Sequence, residues 1–236
     1  MARRTFQAII LAGGKGTRLR PLTFAVPKPL LPIREKPILE ILLGHLRRQG
    51  CRRAFLATGY RAELIHSYFN HGAQFGLAID FVQERQPLGT AGPIRLVMDR
   101  FRLREPVIVM NGDILTRINV QRLLAFHRAQ RAALTIGMKA IKERLRFGTV
   151  QTDRGRVLGV TEQPSFTYDI SAGIYVVSPE AIRRIPRGER FDMPTLATRL
   201  IEEGQRVAAY RIREYWMAVE QAEHIGQALR ESRRWR

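Results

Sequence analysis

The sequence predicts an α/β fold, a doubly wound, mostly parallel but mixed sheet with helices on both faces. Three observations carry that expectation. Short apolar runs alternate with segments of helical period over the first half of the chain, the pattern of βαβ units. Beyond Arg131 the alternation gives way to several strand-like runs in succession, as expected of a small lobe built onto the sheet. A glycine-rich, cationic loop, LAGGKGTRLRPLT at residues 11–23, follows the first apolar run, where open α/β sheets carry their ligand loops.

The run Phe6-Gln7-Ala8-Ile9-Ile10 opens a strand over 6–11. Within 37–49, Ile38, Leu39, Leu42, Leu43 and Leu46 recur at helical spacing, and Gly50 ends that helix. Strand 53–58, helix 61–70, strand 77–82, helix 91–100, strand 106–110 and helix 119–130 continue the alternation. Leu134–Lys139, Thr149–Thr152, Val157–Val160 and Ile170–Val177 then read as strands, with the turn Asp153-Arg154-Gly155 between the middle two. Helices at 179–184 and 194–203, a strand at 206–211 and a closing helix from about 220 complete the chain. No repeat, low-complexity tract or linker interrupts it, so 1–236 reads as one domain, with a core over 1–131 and a second portion over 132–236.

Composition narrows the function classes. No apolar stretch approaches the ~20 residues that span a bilayer, and Met1 to Thr5 leads into a strand rather than a signal peptide. A cytoplasmic protein without a membrane partner is expected. Cys51 is the single cysteine, so a disulfide framework and a cysteine metal site are excluded. Lys+Arg number 40 against 21 Asp+Glu, for a formal +19, and only five of the 40 are lysines. Such an excess invites a nucleic-acid reading. The arginines are dispersed over nearly every segment, however, with short clusters at Arg47-Arg48, Arg52-Arg53, Arg183-Arg184 and the tail Arg230 to Arg236. Anionic small ligands and a generically basic exterior are the better reading.

The opening loop carries the chemistry. A glycine run after a strand exposes backbone N–H groups and lets phosphates approach closely, while cations balance their charge. The pattern G-x-x-x-x-G-K-[ST] fails here, and G-x-G-x-x-G fails because position 19 is Leu. Alone, the loop also fits a tight turn with solvated charges. The stretch Val26-Pro27-Lys28-Pro29-Leu30 weighs against that, because prolines on both sides stiffen the backbone that aims Lys28.

Gly13-Gly14-x-Gly16-Thr17-Arg18-Leu19-x-Pro21-Leu22-Thr23 with Pro27-Lys28-Pro29 resembles the signature of the sugar-1-phosphate nucleotidylyltransferases. PLGTAGPI at 87–94 is similar to that family's base-and-sugar loop and NGDI at 111–114 to its metal loop. FGTV, TEQP and SAGIYV resemble its sugar-phosphate lobe, and FDMPTL and EYW its C-terminal region. The resemblance implies a Rossmann-like nucleotidyltransferase fold and a Mg²⁺-assisted transfer from an NTP to a sugar 1-phosphate. The PLGTAG loop is most similar to that of guanylyltransferases acting on mannose 1-phosphate or a heptose 1-phosphate, which favours GTP.

By the same resemblance Leu11, Ala12, Gly13, Gly14, Gly16 and Thr17 hold the nucleotide, Arg18 neutralises the leaving pyrophosphate and Lys28 holds the α-phosphate. Gln83, Gly89 and the backbone of Thr90 read the base, and Asp113 holds Mg²⁺. Asn111, Gly148, Glu162, Gln163 and Ser171 fall at sugar-phosphate positions. Three positions depart from the pattern. Gln163 stands where a lysine is usual, Ser171 where asparagine is frequent, and Ala218 where a second metal-binding aspartate is expected. If 217–220 is extended, Glu220 shares a face with Ala218 and reaches toward the metal. If the closing helix has already begun, Glu220 is a first-turn charge, the reading preferred here. His45, His66, His71 and His127 lack ligand spacing. The tail reads as a solvated helix end, and Trp235 within it is a candidate subunit contact, which leaves a homo-oligomer open.

Overall fold

The structure, a computed structural model, describes residues 4–231. Strand β1 (Phe6–Ala12) leads through the glycine loop into a short helix α1 (Leu22–Ala25) and the paired two-residue strands β2 (Pro32–Ile33) and β3 (Lys36–Pro37). Then α2 (Ile38–Arg48), β4 (Cys51–Thr58), α3 (Ala62–Phe69), β5 (Ala78–Gln83), α4 (Gly92–Phe101) and β6 (Val107–Asn111) alternate as the periodicity predicts. There follow β7 (Ile114–Thr116), α5 (Val120–Ala129), β8 (Leu134–Arg144), β9 (Thr149–Asp153), β10 (Arg156–Thr161) and β11 (Ser165–Val177). The chain ends with α6 (Pro179–Arg183), α7 (Met193–Glu202), β12 (Val207–Arg211), β13 (Trp216–Ala218) and α8 (Ala222–Arg230).

Seven strands form the central sheet in the order β12-β8-β11-β6-β1-β4-β5. Every neighbouring pair is parallel except the two that involve β11, so the sheet is mixed through that one reversed strand. Consecutive residues of β1 serve opposite faces: Ile10 packs with Leu42, Leu46 and Phe69, and Ile9 with Phe55, Ile94 and Leu196. A strand buried on both faces needs the near-continuous apolar run seen in the sequence. The four parallel strands β5, β4, β1 and β6 end together, and the loops that follow them build the site.

The strands expected of the small lobe form a ribbon. β8 and β11 pair from Ser171↔Met138 out to Ser165↔Arg144, and β9 and β10 pair only with each other. The result is a ribbon with no hydrophobic cluster of its own among the described residues. Its apolar side chains, Phe147, Val150, Leu158, Val160 and Tyr168 among them, are exposed among the described residues. The closing helix begins at Ala222 rather than near 220, so Glu220 precedes it. No helix among the described residues is long and apolar enough to cross a membrane. Trp235 and the end of the arginine tail lie outside the described residues.

Candidate active site

At the end of β1 the chain turns through Gly13 to Gly16. Gly16 sits at φ 61°, and a Cβ there would lie 3.0 Å from Thr23 Cγ2 and 3.1 Å from Lys28 Cβ, so the loop closes directly onto the lysine. The buried Thr23 hydroxyl donates to the Gly16 carbonyl at 2.8 Å and fixes that contact. A Cβ on Gly14 would meet nothing within 4 Å, which leaves its main chain facing open space where an anion can approach.

Lys28 opens the 3₁₀ turn Lys28–Leu30, entered from an extended Pro27. Its side chain is 15% exposed, and its Nζ pairs with Oδ2 of Asp113, 21% exposed. Asp113 follows β6, and its carbonyl accepts from Val219 N–H at 3.0 Å. The other carboxylate oxygen, Oδ1, is buried with no hydrogen-bond partner. A buried carboxylate oxygen left unsatisfied costs on the order of 1–3 kcal/mol, so the site is built for a further electropositive group. The donor set fits Mg²⁺, which takes one or two carboxylates and completes its shell with water and phosphate oxygens.

Ala218 pairs with Ile114 across β13 and β7, so the expected second carboxylate position lies beside Asp113 and carries only a methyl group. Glu220 is not helical, and its half-exposed side chain is held by an ion pair. Arg18 donates to its Oε2 at 2.6 Å, and both residues line a cleft with Gly16, Thr17 and Lys28. This corrects the first-turn reading: the backbone stays non-helical through Gln221, which caps α8.

The base side of the site differs from expectation by one residue. Gln83 ends β5 exposed and does not line the cavity, whereas Glu84 does. Glu84 is the first residue past the strand, tied by its N–H to the Thr58 carbonyl at 2.8 Å. Glu84 Oε2 accepts from Leu88 N–H at 3.1 Å, and Oε1 lies close enough to Gly13 that a Cβ there would be 2.4 Å away. Burial pushes the Glu84 carboxyl above its ordinary range, opposed by the Leu88 hydrogen bond.

Gly89, at φ 75°, has no room for a side chain against Phe191 and Asp192. The Thr90 N–H and hydroxyl both donate to Asp192 Oδ1, at 2.9 and 3.2 Å, and Met193 N–H donates to the same hydroxyl at 2.8 Å. The Thr90 N–H is therefore bonded to the scaffold. Glu84 and Asp192 were both missed from sequence, and the FDMPTL segment is the anchor of the PLGTAG loop.

One cavity of about 320 Å³ unites Leu11, Ala12, Gly13, Gly14, Gly16, Lys28, Glu84, Gly89, Thr90 and Asp113. Thr17 and Arg18 line the adjoining cleft. The sugar-phosphate set lies outside both. Gly148 and Glu162 meet on the ribbon, where a Cβ on the glycine would be 2.9 Å from Glu162 Oε2, and Gln163 next to them sits at φ 44°. Asn111 ends β6 against Gly173, and the Ser171 hydroxyl lies 2.9 Å from the Tyr175 hydroxyl. Three of the four histidines pack, His45 bonding Ile118 O, His66 Thr58 and His127 both Thr135 and Ser178, whereas His71 is exposed.

Residues 7–233 match the nucleotidyl transferase family. The chain belongs to that family. It is 38% identical over 225 residues to a mannose-1-phosphate guanylyltransferase of Mycobacterium tuberculosis, covering 92% of this chain and 61% of that protein. It is 35% identical over 186 residues to the D-glycero-alpha-D-manno-heptose 1-phosphate guanylyltransferase of Aneurinibacillus thermoaerophilus, covering 78% of this chain and 80% of the other. The crystal structure of HddC from Yersinia pseudotuberculosis superposes with a TM-score of 0.77 at 26% identity, over 97% of this chain and 100% of that one. The same Yersinia protein has been solved in complex with GMP-PN. The family member described here thus spans about three-fifths of the mycobacterial relative's length.

Proposed function

We propose that this protein transfers a guanylyl group from GTP to a sugar 1-phosphate in the presence of Mg²⁺, releasing pyrophosphate, in the cytoplasm. The observation that carries the reading is the convergence of the Gly13–Gly16 turn, Lys28, Asp113 and Glu84 on one cavity. The sugar-phosphate oxygen attacks the α-phosphorus in line, a new P–O bond forms, and the bond to the bridging α,β oxygen breaks as pyrophosphate leaves. Chemistry of this kind needs positioning and charge neutralisation more than proton transfer. The loop's main chain receives the triphosphate, and Lys28 turns from Asp113 toward the α-phosphate as charge accumulates there. Arg18 turns from Glu220 toward the leaving pyrophosphate. That exposed pair is worth at most about 1 kcal/mol and yields readily. Mg²⁺ bound through Asp113 would add charge neutralisation at the phosphates.

Glu84 gives the lean toward guanine a physical basis. Guanine presents two adjacent donors on its Watson–Crick edge, N1–H and N2–H₂, and the free Oε1 of a carboxylate is the complementary acceptor. Two guanylyltransferases among the relatives and the guanine nucleotide held by the Yersinia protein support the same choice. The test is pyrophosphate release from GTP, UTP, dTTP, CTP and ATP against hexose and heptose 1-phosphates, on this chain and on Glu84→Gln. GTP should lead, and the variant, which turns a donor toward guanine's donors, should lose at least about tenfold of that preference. Equal use of all nucleotides by the unaltered chain defeats the guanine assignment.

A second reading has its own observation, the methyl group of Ala218 beside Asp113. On that reading the protein binds nucleotide and sugar nucleotide but turns over weakly. Binding of GDP-mannose with no measurable pyrophosphate release under any of these conditions would mark it out.

A further inference from the structure

At the opposite end of the sheet, where β1, β4 and β6 begin, lies a cavity of about 780 Å³, more than twice the volume of the nucleotide cavity. Arg4, Arg52, Arg53, Arg102, Arg104 and Arg128 line it, and Glu105 is its single carboxylate. Arg53 is engaged: its Nε donates to Asp80 Oδ2 at 2.6 Å and its guanidinium lies 4.9 Å from the Phe101 ring centre. The side chains of Arg4, Arg52, Arg102, Arg104 and Arg128 have no hydrogen bond or ion pair among the described residues.

The neighbouring arginines around Asp99 are arranged differently. In the adjoining cleft Arg95 and Arg187 both reach Asp99, each at 3.1 Å, and Arg95 also donates to the Arg183 carbonyl at 2.9 Å. A generically basic exterior accounts for scattered arginines, but not for five unpaired guanidiniums around one concavity. Arg102 and Arg128 have a local explanation, since each stands at the carboxyl end of a helix, α4 or α5, where a cation complements the dipole. Arg4, Arg52 and Arg104 have none.

We propose that this cavity is a second anion site that takes a small, multiply phosphorylated molecule. Its volume is that of a small-molecule pocket, and guanidinium forks match phosphate oxygens in pairs, so several phosphates at once are the ligand that satisfies five forks. Phe6, Phe101 and Pro106 line the cavity among the arginines and confine the anion. A small anion is favoured over a long polymer because the arginines border one cavity of small-molecule volume.

The probe is inorganic tripolyphosphate, titrated by calorimetry at physiological salt against the unaltered chain, Arg52→Gln/Arg104→Gln/Arg128→Gln, and the charge-matched control Arg146→Gln/Arg154→Gln/Arg156→Gln on the ribbon. The unaltered chain should show a site that survives Lys28→Ala, which disables the nucleotide loop. The cavity variant should weaken that site by about tenfold or more, the scale of losing one or two charge-assisted contacts, and the control should keep it. All substituted arginines are exposed, so melting temperatures should match. Arg104→Glu alone gives a second variant expected to act in the same direction. Equal losses in the two triple variants would show only the field of a +19 protein and overturn the proposal. Absence of any site once Lys28 is changed would overturn it too. So would a short single-stranded RNA that binds the cavity while tripolyphosphate does not.

Discussion

Lys28 pairs with Asp113 in the structure, and on the proposed function it exchanges that partner for the α-phosphate while the short turn between Pro27 and Pro29 keeps its backbone fixed. Lys28→Ala should therefore cost transition-state stabilisation on the order of 3 kcal/mol, about two powers of ten in kcat/KM. Thermal melting should be little changed, because the side chain packs no core. A variant with full turnover would remove Lys28 from the chemistry. His127 offers a contrasting prediction about stability. The Ser178 hydroxyl donates to Ala132 O, so it accepts from His127 Nε2–H and leaves Nδ1 to accept from the Thr135 hydroxyl. That network holds the ring neutral, and burial pushes its pKa from 6.5 down to about 4. A folded pKa below the unfolded one means that stability is full above pH 6.5 and drains away as pH falls toward 4. The loss amounts to about 3 kcal/mol. Denaturant midpoints across that range should show it in the native chain, and His127→Gln should flatten that part of the profile; an unchanged slope would contradict the assignment.

At the scale of elements, the base loop is held by α7. Asp192 accepts from both donors of Thr90, and the Leu88 and Phe191 backbones bond each other at 2.9 Å. Asp192→Ala should raise KM for the nucleotide by about tenfold, the scale of a lost charged hydrogen bond, with faster amide exchange confined to 88–92. A rise in KM without faster exchange would mean that Asp192 acts on the ligand directly. This contact shows where the sequence stops being legible. The parallel strands, the glycine loop and Asp113 at the end of β6 are local patterns, visible as apolar runs followed by turn residues. The hold of Asp192 on Thr90 joins positions about a hundred residues apart, and no period or spacing records it. Glu84 was hidden by a finer matter, the exact end of strand β5, because the resemblance pointed to Gln83, the last strand residue, while the residue just past the strand lines the cavity. Glu220 needed the exact start of α8, and helix ends are the least readable feature of a sequence. The ribbon strands were readable as strands, but their pattern could not reveal that their apolar side chains stay exposed among the described residues.

For the molecule as a whole, one sheet separates two cavities of opposite character. Loops after the carboxyl ends of its parallel strands gather glycines, a lysine and two carboxylates at the proposed transfer site, while the cavity at the amino ends is lined by six arginines. The central claim is that the first cavity performs nucleotidyl transfer with Asp113 as its sole carboxylate ligand for the metal. Ala218→Asp restores the missing carboxylate at a position already beside Asp113 and tests that claim most directly. Pyrophosphate release from Mg²⁺ and GTP with mannose and heptose 1-phosphates, measured side by side, should show turnover by the unaltered chain and a modest gain in the variant, mostly as a lower Mg²⁺ requirement. Turnover by the variant alone would contradict the single-carboxylate account, and silence from both proteins with every nucleotide would contradict the transfer activity itself.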